Sequence, residues 1–169
     1  AEAKHAPLVV QPASQSPIGL SFWNLVECSV LAALRKDHQI SLQKVRKALD
    51  YVTSELRVER PLIKEAFSTD GVGLFVERYG SLIDVSRDGQ IAMREVLQAG
   101  LTRIDRDEEG LAARLFPWRR DPHEPRIIAV DPRVSFGQPT LASTRVPVEI
   151  IRERFEAGDS IESLAADYR

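Results

Sequence analysis

The stretch Asp131–Tyr168, DPRVSFGQPTLASTRVPVEIIRERFEAGDSIESLAADY, leaves the chain the least freedom. Asp131-Pro132 and Gly137-Gln138-Pro139 are turn chemistry: Asp bonds back to its own backbone, Gly accepts positive φ and Pro fixes φ. Thr144-Arg145-Val146 closes a short extended piece. Pro147 then suits a first helical turn, where a missing N–H is no loss. Val148, Ile151 and Phe155 follow at helical spacing, with Glu149, Arg152 and Glu153 on other faces. Gly158 is a helix stop. Asp159 and Ser160 are both N-cap types, and Glu162 stands three after Asp159 as in a capping box. Ile161, Leu164, Ala165 and Tyr168 form a second apolar stripe. The spacing predicts helix, tight Gly turn, helix. Any αα-hairpin satisfies that pattern, and so does the first half of a helix-turn-helix.

The same residues carry a family resemblance. The extended lead-in over 127–131, Asp131-Pro132, Gly137-x-Pro139, Thr144-Arg145-x-Pro147, Ala157-Gly158 and Leu164-Ala165-x-x-Tyr168 resemble a small bacterial domain formerly of unknown function. That domain is now read as a VapB-type antitoxin module of toxin–antitoxin loci. The resemblance implies a PIN-like ribonuclease toxin as partner, whose acidic site would own the Mg²⁺, and operator DNA as a second partner. Such antitoxins commonly block the toxin with a tail bearing Arg or an aromatic, because the guanidinium fork pairs with clustered carboxylates. Only Arg169 follows Tyr168.

Composition fits a globular chain: 169 residues, 43% hydrophobic, 28% charged and a formal net charge of −2. A strongly basic nucleic-acid scavenger is excluded, although a local basic face is not. Cys28 is the single cysteine, so there is no disulfide framework and no Cys-rich zinc site. No apolar run has membrane-spanning length and no signal-peptide pattern opens the chain. The expected setting is a reducing bacterial cytoplasm. Both ends look cut, since the chain opens without Met and closes directly after a helix that should lead to another.

The expected class is α+β: a helical N-terminal part with a β-hairpin, short strands, and a C-terminal helix-turn-helix-like module. The expected domains are 1–116, a linker over 117–126 around the Pro-rich PWRRDPHEP, and 127–169. Residues 1–19 read as an extended arm. Helices are expected over 20–36, 41–57, 89–104, 147–157 and 160–168. Cys28 is expected to be a small core filler, and Trp23 to lie off the helical stripe. Ser41 is expected to cap the second helix, and Asp88 the third. The segments 71–77 and 81–86, bounded by Gly71, Gly73 and Gly80, read as a β-hairpin. Leu111–Phe116 and Arg126–Val130 read as short strands.

SFWNLVECSVLAALRKDHQISLQKVRKALDYV also resembles the middle of a MerR-like DNA-binding domain, without its groove-reading helix and wing. Phosphate contacts are therefore expected from Arg35, Lys36, Lys44, Arg46 and Lys47, with Arg145 and Arg152 added from the C-terminal module. Contacts of this kind position a protein without reading bases. The helix at 160–168 carries Glu162, Ser163 and Asp167 and is a poor reader of DNA. The reading helix is therefore expected after Arg169, and the 169-residue chain is expected to bind operator DNA weakly.

No enzyme is expected. His5, His38 and His123 lack partners at helical spacing, and FSTDGVGLF lacks the Lys-Ser/Thr ending of a phosphate loop. Asp105, Asp107, Glu108 and Glu109 lack the order of a Ca²⁺ loop. Neither a cofactor nor a metal is expected. The best reading is an antitoxin that binds a toxin and its own operator as a homodimer, the hairpin at 74–85 supplying edges for a second copy. The alternatives are a MerR-like regulator without a toxin and a non-DNA-binding assembly module.

Overall fold

The computed structural model describes residues 8–37, 41–83, 86–118 and 123–168. His5, His38, Ile40 and Arg169 lie outside the described residues. The chain forms two compact units, Ala1–Leu101 and Thr102–Arg169. The class is α+β, as expected.

The first unit opens with a two-stranded antiparallel ribbon, β1 (Ser14–Gln15) and β2 (Ile18–Gly19). Helices α1 (Phe22–Asp37), α2 (Leu42–Leu56), α3 (Val72–Ile83) and α4 (Arg87–Leu101) follow. α1 begins with a reciprocal cap. The Ser21 hydroxyl accepts the Asn24 N–H at 3.2 Å, and Asn24 Oδ1 accepts the Ser21 N–H at 3.0 Å. Asn24 is fully buried, and its amide donates to the Gln11 carbonyl and to Glu27 Oε2. The arm is thus tied to α1. Glu27, also buried, receives both arms of the Arg60 guanidinium at 2.9 and 2.7 Å. Arg60 in turn lies 5.6 Å from the centroid of Trp23, the residue that falls off the apolar stripe.

Val26 and Val30 of α1, Val45 and Val52 of α2, and Leu97 of α4 bury their side chains in this unit. An aromatic run forms its densest part: Phe67 meets Phe75 edge-on at 6.2 Å, and Phe75 stacks on Tyr79 at 5.8 Å. Such pairs add about 0.5–1.5 kcal/mol each beyond the area they bury.

Three expectations fail in this unit. The β-hairpin over 71–86 is instead a π-helical turn, Phe67–Gly71, running into α3, and positions 84 and 85 lie outside the described residues. Val72, Phe75, Val76 and Tyr79 are buried at i, i+3, i+4 and i+7, the helical period. Gly71 marks a close approach and not a strand end, since a Cβ there would fall 2.7 Å from the Phe67 ring. Cys28 is exposed and fills no core. The α4 cap is Ser86, whose hydroxyl accepts the Gly89 N–H at 3.3 Å, so the helix starts before Asp88.

The second unit is built on an antiparallel sheet in the order β3 (Ile104–Arg106), β4 (Ala112–Leu115), β5 (Ile128–Val130), β6 (Pro139–Leu141). Helices α5 (Val148–Glu156) and α6 (Ile161–Asp167) follow. β3 and β4 pair with each other, and Leu115 of β4 pairs with Val130 of β5. That pairing draws residues from 102 onward into the C-terminal unit. The units therefore divide ahead of the 117–126 connector.

Candidate functional site

The turn between β5 and β6 is organised by Asp131, which is 4% exposed. Its Oδ1 accepts the Arg133 N–H at 2.9 Å and Arg133 Nε at 3.1 Å, and Arg114 Nε lies 3.6 Å from Oδ2. Burial pushes the carboxyl pKa up. The bonds from Arg133 and the charges of Arg133 and Arg114 outweigh that and hold it below its ordinary value. The turn then runs through three successive left-handed residues, Ser135 (φ 47°), Phe136 (φ 55°) and Gly137 (φ 79°). Backbone bonds from Val134 to Asp131, Gly137 to Val134 and Gln138 to Ser135, at 2.9–3.0 Å, lock it. Phe136 stands at the tip with a relative exposure of 103%.

β6 leads directly to the helix pair. The Leu141 N–H donates to the Val146 carbonyl, and the Arg145 N–H to the Leu141 carbonyl. Pro147 occupies the N-cap of α5, one residue before the first helical turn. The end of α5 is a Schellman stop: Gly158, at φ 105°, donates to the Phe155 carbonyl, and Asp159 donates to the Arg154 carbonyl. Ser160, not Asp159, caps α6, its hydroxyl accepting the Ser163 N–H at 3.1 Å.

Arg154 holds the two helices together. Its guanidinium donates to Asp159 at 2.6 Å, Asp167 at 2.7 Å and the Tyr168 hydroxyl at 3.2 Å, and lies 5.3 Å from the Tyr168 ring centroid. Those hydrogen bonds, led by Tyr168, raise its pKa further. An open groove of about 450 Å³ lies along the pair, lined almost entirely by apolar side chains of β6, α5 and α6. α5 buries no residue fully, and α6 buries only Leu164.

The expected DNA-contacting residues are divided between the units, Arg35, Lys36, Lys44, Arg46 and Lys47 in the first and Arg145 and Arg152 in the second. Arg35 and Lys36 belong to α1, but their side chains lie outside the described residues. On α2, Lys44 and Lys47 are three apart and share a face. Arg46 points elsewhere: it lines a cavity of about 280 Å³ with Glu27, Asp50 and Arg60. Arg145 is exposed at φ 62°. Arg152 is exposed but bridges Glu149 and Glu156, and those bonds raise its pKa. Its charge is thus shared with carboxylates before any phosphate arrives.

With this geometry in view, the chain can be set beside known proteins. Residues 128–169 match the family described as Protein of unknown function (DUF433). Over 88% of its length the chain is 28% identical to a protein of Mycobacterium tuberculosis (strain ATCC 25618 / H37Rv) named "Putative antitoxin VapB45". It spans 65% of that relative's length. Its fold is similar to the X-ray crystal structure of Rv2018 from Mycobacterium tuberculosis, with a TM-score of 0.72 at 22% identity, covering 94% of this chain and 78% of that one. At that identity the likeness is one of fold.

The family match covers the β5–β6 turn and the helix pair. Sequence reasoning missed Phe136, the three-residue left-handed run and the central role of Arg154. Gly137 signalled the turn, but nothing local places Ser135 and Phe136 at positive φ. Asp159 and Asp167 flank α6 at the right distance to meet an Arg from α5, a signal readable in hindsight. Among the described residues no three of His, Cys, Asp and Glu come together to hold a metal ion. Among them, too, no helix is long and apolar enough to cross a membrane.

Proposed function

We propose that this chain is the antitoxin of a type II toxin–antitoxin pair. It binds a PIN-like ribonuclease toxin, occupies its own operator and acts as a homodimer without catalysis of its own. The observation that carries this reading is the similarity, over 88% of the chain, to a protein named as an antitoxin. The helix pair of the family-matched segment supports it, since two capped helices on a tight Gly turn are the framework of a helix-turn-helix. In this reading Lys44, Lys47 and Arg145 meet phosphates, with Arg35, Lys36, Arg46 and Arg152 as further positive charges. The MerR-like character of residues 1–116 belongs to the same proposal and rests on the succession of α1 and α2.

The test is genetic and then physical. The gene directly beside this one is expressed alone and together with this chain. Growth arrest by the neighbour, relieved by co-expression and accompanied by a stable complex, is the expected outcome. A neighbour with no effect on growth, combined with specific operator binding by this chain, would instead identify a regulator without a toxin. Neither effect would leave the assembly module.

A further inference from the structure

The cavity of about 280 Å³ in the first unit has two guanidiniums on its wall, Arg46 and Arg60, and one buried carboxylate, Glu27. The charge of Glu27 is already balanced. It accepts Nε and Nη2 of Arg60 at 2.9 and 2.7 Å and the Asn24 amide at 3.2 Å. Arg60 reaches it from left-handed backbone at φ 52°, a strain that persists only where the surroundings over-determine it. Glu27 and the Trp23 ring, 5.6 Å from the guanidinium, supply that constraint. Nε and Nη2 of Arg60 are thereby occupied, and Nη1 remains.

Arg46, on α2, has no such balance. Its Nε is buried without a hydrogen-bond acceptor, and among the described residues no carboxylate pairs with it. Asp50 lies one helical turn further along α2 and lines the same cavity, but it is exposed. A buried donor without an acceptor weakens the folded state, and a charged one does so more. Water can satisfy a single N–H but brings no opposite charge. The missing partner is therefore an anion. Apolar side chains complete the lining: Leu8 and Val9 of the arm, Leu49 of α2, and Leu62 of the 3-10 turn Pro61–Ile63. The arm is fixed there by the Gln11 carbonyl, which accepts the Asn24 amide at 2.6 Å, and by the Gln11 amide, which donates to the Leu8 carbonyl at 2.8 Å.

We propose that this cavity binds a small monocarboxylic acid with an apolar body, its carboxylate received by Arg46 and by Nη1 of Arg60, and its hydrocarbon part laid along Leu49 and Leu62. The planar fork of a guanidinium suits a carboxylate, and the bond is charge-assisted. Solvent and salt screen the repulsion from exposed Asp50. The volume lies near the roughly 300 Å³ at which small-molecule pockets begin, so the acid is a small one. Its binding would join the arm, α1 and α2 through one ligand and stabilise the first unit by mass action. The site stands apart from the antitoxin reading, which needs no small molecule.

Amide-shift titration of the 169-residue chain with sodium hexanoate tests this, with hexylamine and leucine as comparison ligands. Hexanoate is expected to saturate one site, with shifts at residues 8–11, 45–53 and 60–62. Hexylamine has the same chain and the opposite charge, and is expected to shift nothing there. Arg46→Gln should weaken hexanoate binding by roughly tenfold or more, as loss of a hydrogen bond to a charged group does. Its denaturation midpoint without ligand should not fall, because Arg46 has no partner to lose. Asp50→Asn should bind hexanoate at least as tightly as wild type. No saturable binding up to about 10 mM, above the millimolar Kd expected of so small a ligand, overturns the proposal. Equal binding of hexylamine, or undiminished binding by Arg46→Gln, does the same. Leucine binding that is tighter than that of hexanoate and is lost in Asp50→Asn overturns the monocarboxylate and identifies a zwitterion instead.

Discussion

The four-helix unit and the C-terminal helix pair reach order by opposite means. In the first, α2 buries Val45, Ala48, Leu49 and Val52, and α3 buries an aromatic run against Phe67. In the second, α5 buries nothing fully and α6 only Leu164. The pair is held by chain-local devices: Pro147 at the entry, the Schellman stop at Gly158, the Ser160 cap and the Arg154 clamp. Packing fixes one region, while capping and charge fix the other. Both regions still leave large apolar side chains in solvent, Ile18, Leu20 and Leu25 in the first and Phe136, Phe155 and Ile161 in the second.

This comparison predicts a descending series of effects. Phe75→Ala should be the most damaging substitution, at about 3–5 kcal/mol, since it removes a buried ring and leaves a cavity. Urea denaturation followed by peptide-level hydrogen exchange should show the loss of protection in α2, α3 and α4. A cost near 1 kcal/mol would mean that the first unit is not packing-determined.

Asp131→Asn should cost about 2 kcal/mol, because charge-assisted bonds from a buried carboxylate are lost. The pH dependence has a definite sign. Asp131 has its pKa lowered in the folded state, so its contribution is full above the ordinary carboxyl value. It disappears as pH falls through the depressed folded value. Wild type should therefore lose more stability than Asp131→Asn between pH 6 and pH 2.5, by denaturation midpoint. Parallel losses would remove Asp131 from this account.

Gly158→Ala should cost about 1 kcal/mol, since φ 105° disfavours a Cβ even with open space around it. The measurable signature is faster amide exchange at the end of α5. No change there would show that the stop does not depend on Gly. At the bottom of the series, Lys44→Ala with Lys47→Ala should leave the denaturation midpoint in place. If the DNA reading holds, the pair should reduce the slope of log affinity against log salt by about 2. An unchanged slope in anisotropy titrations would remove α2 from the phosphate contacts.

The helix pair was legible because its signals are adjacent in sequence. Pro147, Gly158 and Ser160 act within a turn of where they stand, and their meaning needs no distant partner. α3 was misread because Gly71, Gly73 and Gly80 look like turn punctuation when only neighbours are considered. Their tertiary sense is close packing, as the approach of Gly71 to the Phe67 ring shows. The buried period of Val72, Phe75, Val76 and Tyr79 was present in the sequence and was the better guide. The phosphate contacts expected of α2 were read from neighbours in the chain alone. Lys44, Arg46 and Lys47 are neighbours in the chain, yet Arg46 lines a cavity together with Glu27 and Asp50.

By itself the sequence determined the α+β class, the helices α1, α2, α4, α5 and α6 to within a few residues, and the turn–helix–turn–helix order of the family-matched segment. Those features follow from rotamer, cap and φ preferences that act over a few residues. Only the tertiary structure decided that α3 sets Phe75 against Phe67, that β3 and β4 join the C-terminal sheet, and that Arg154 clamps α5 to α6. It also decided that Phe136 is left in solvent. Each of these depends on contacts between one element and another, or on what a strained turn receives from a buried carboxylate. Local preference cannot supply them, because their energies exist only once the chain has closed on itself.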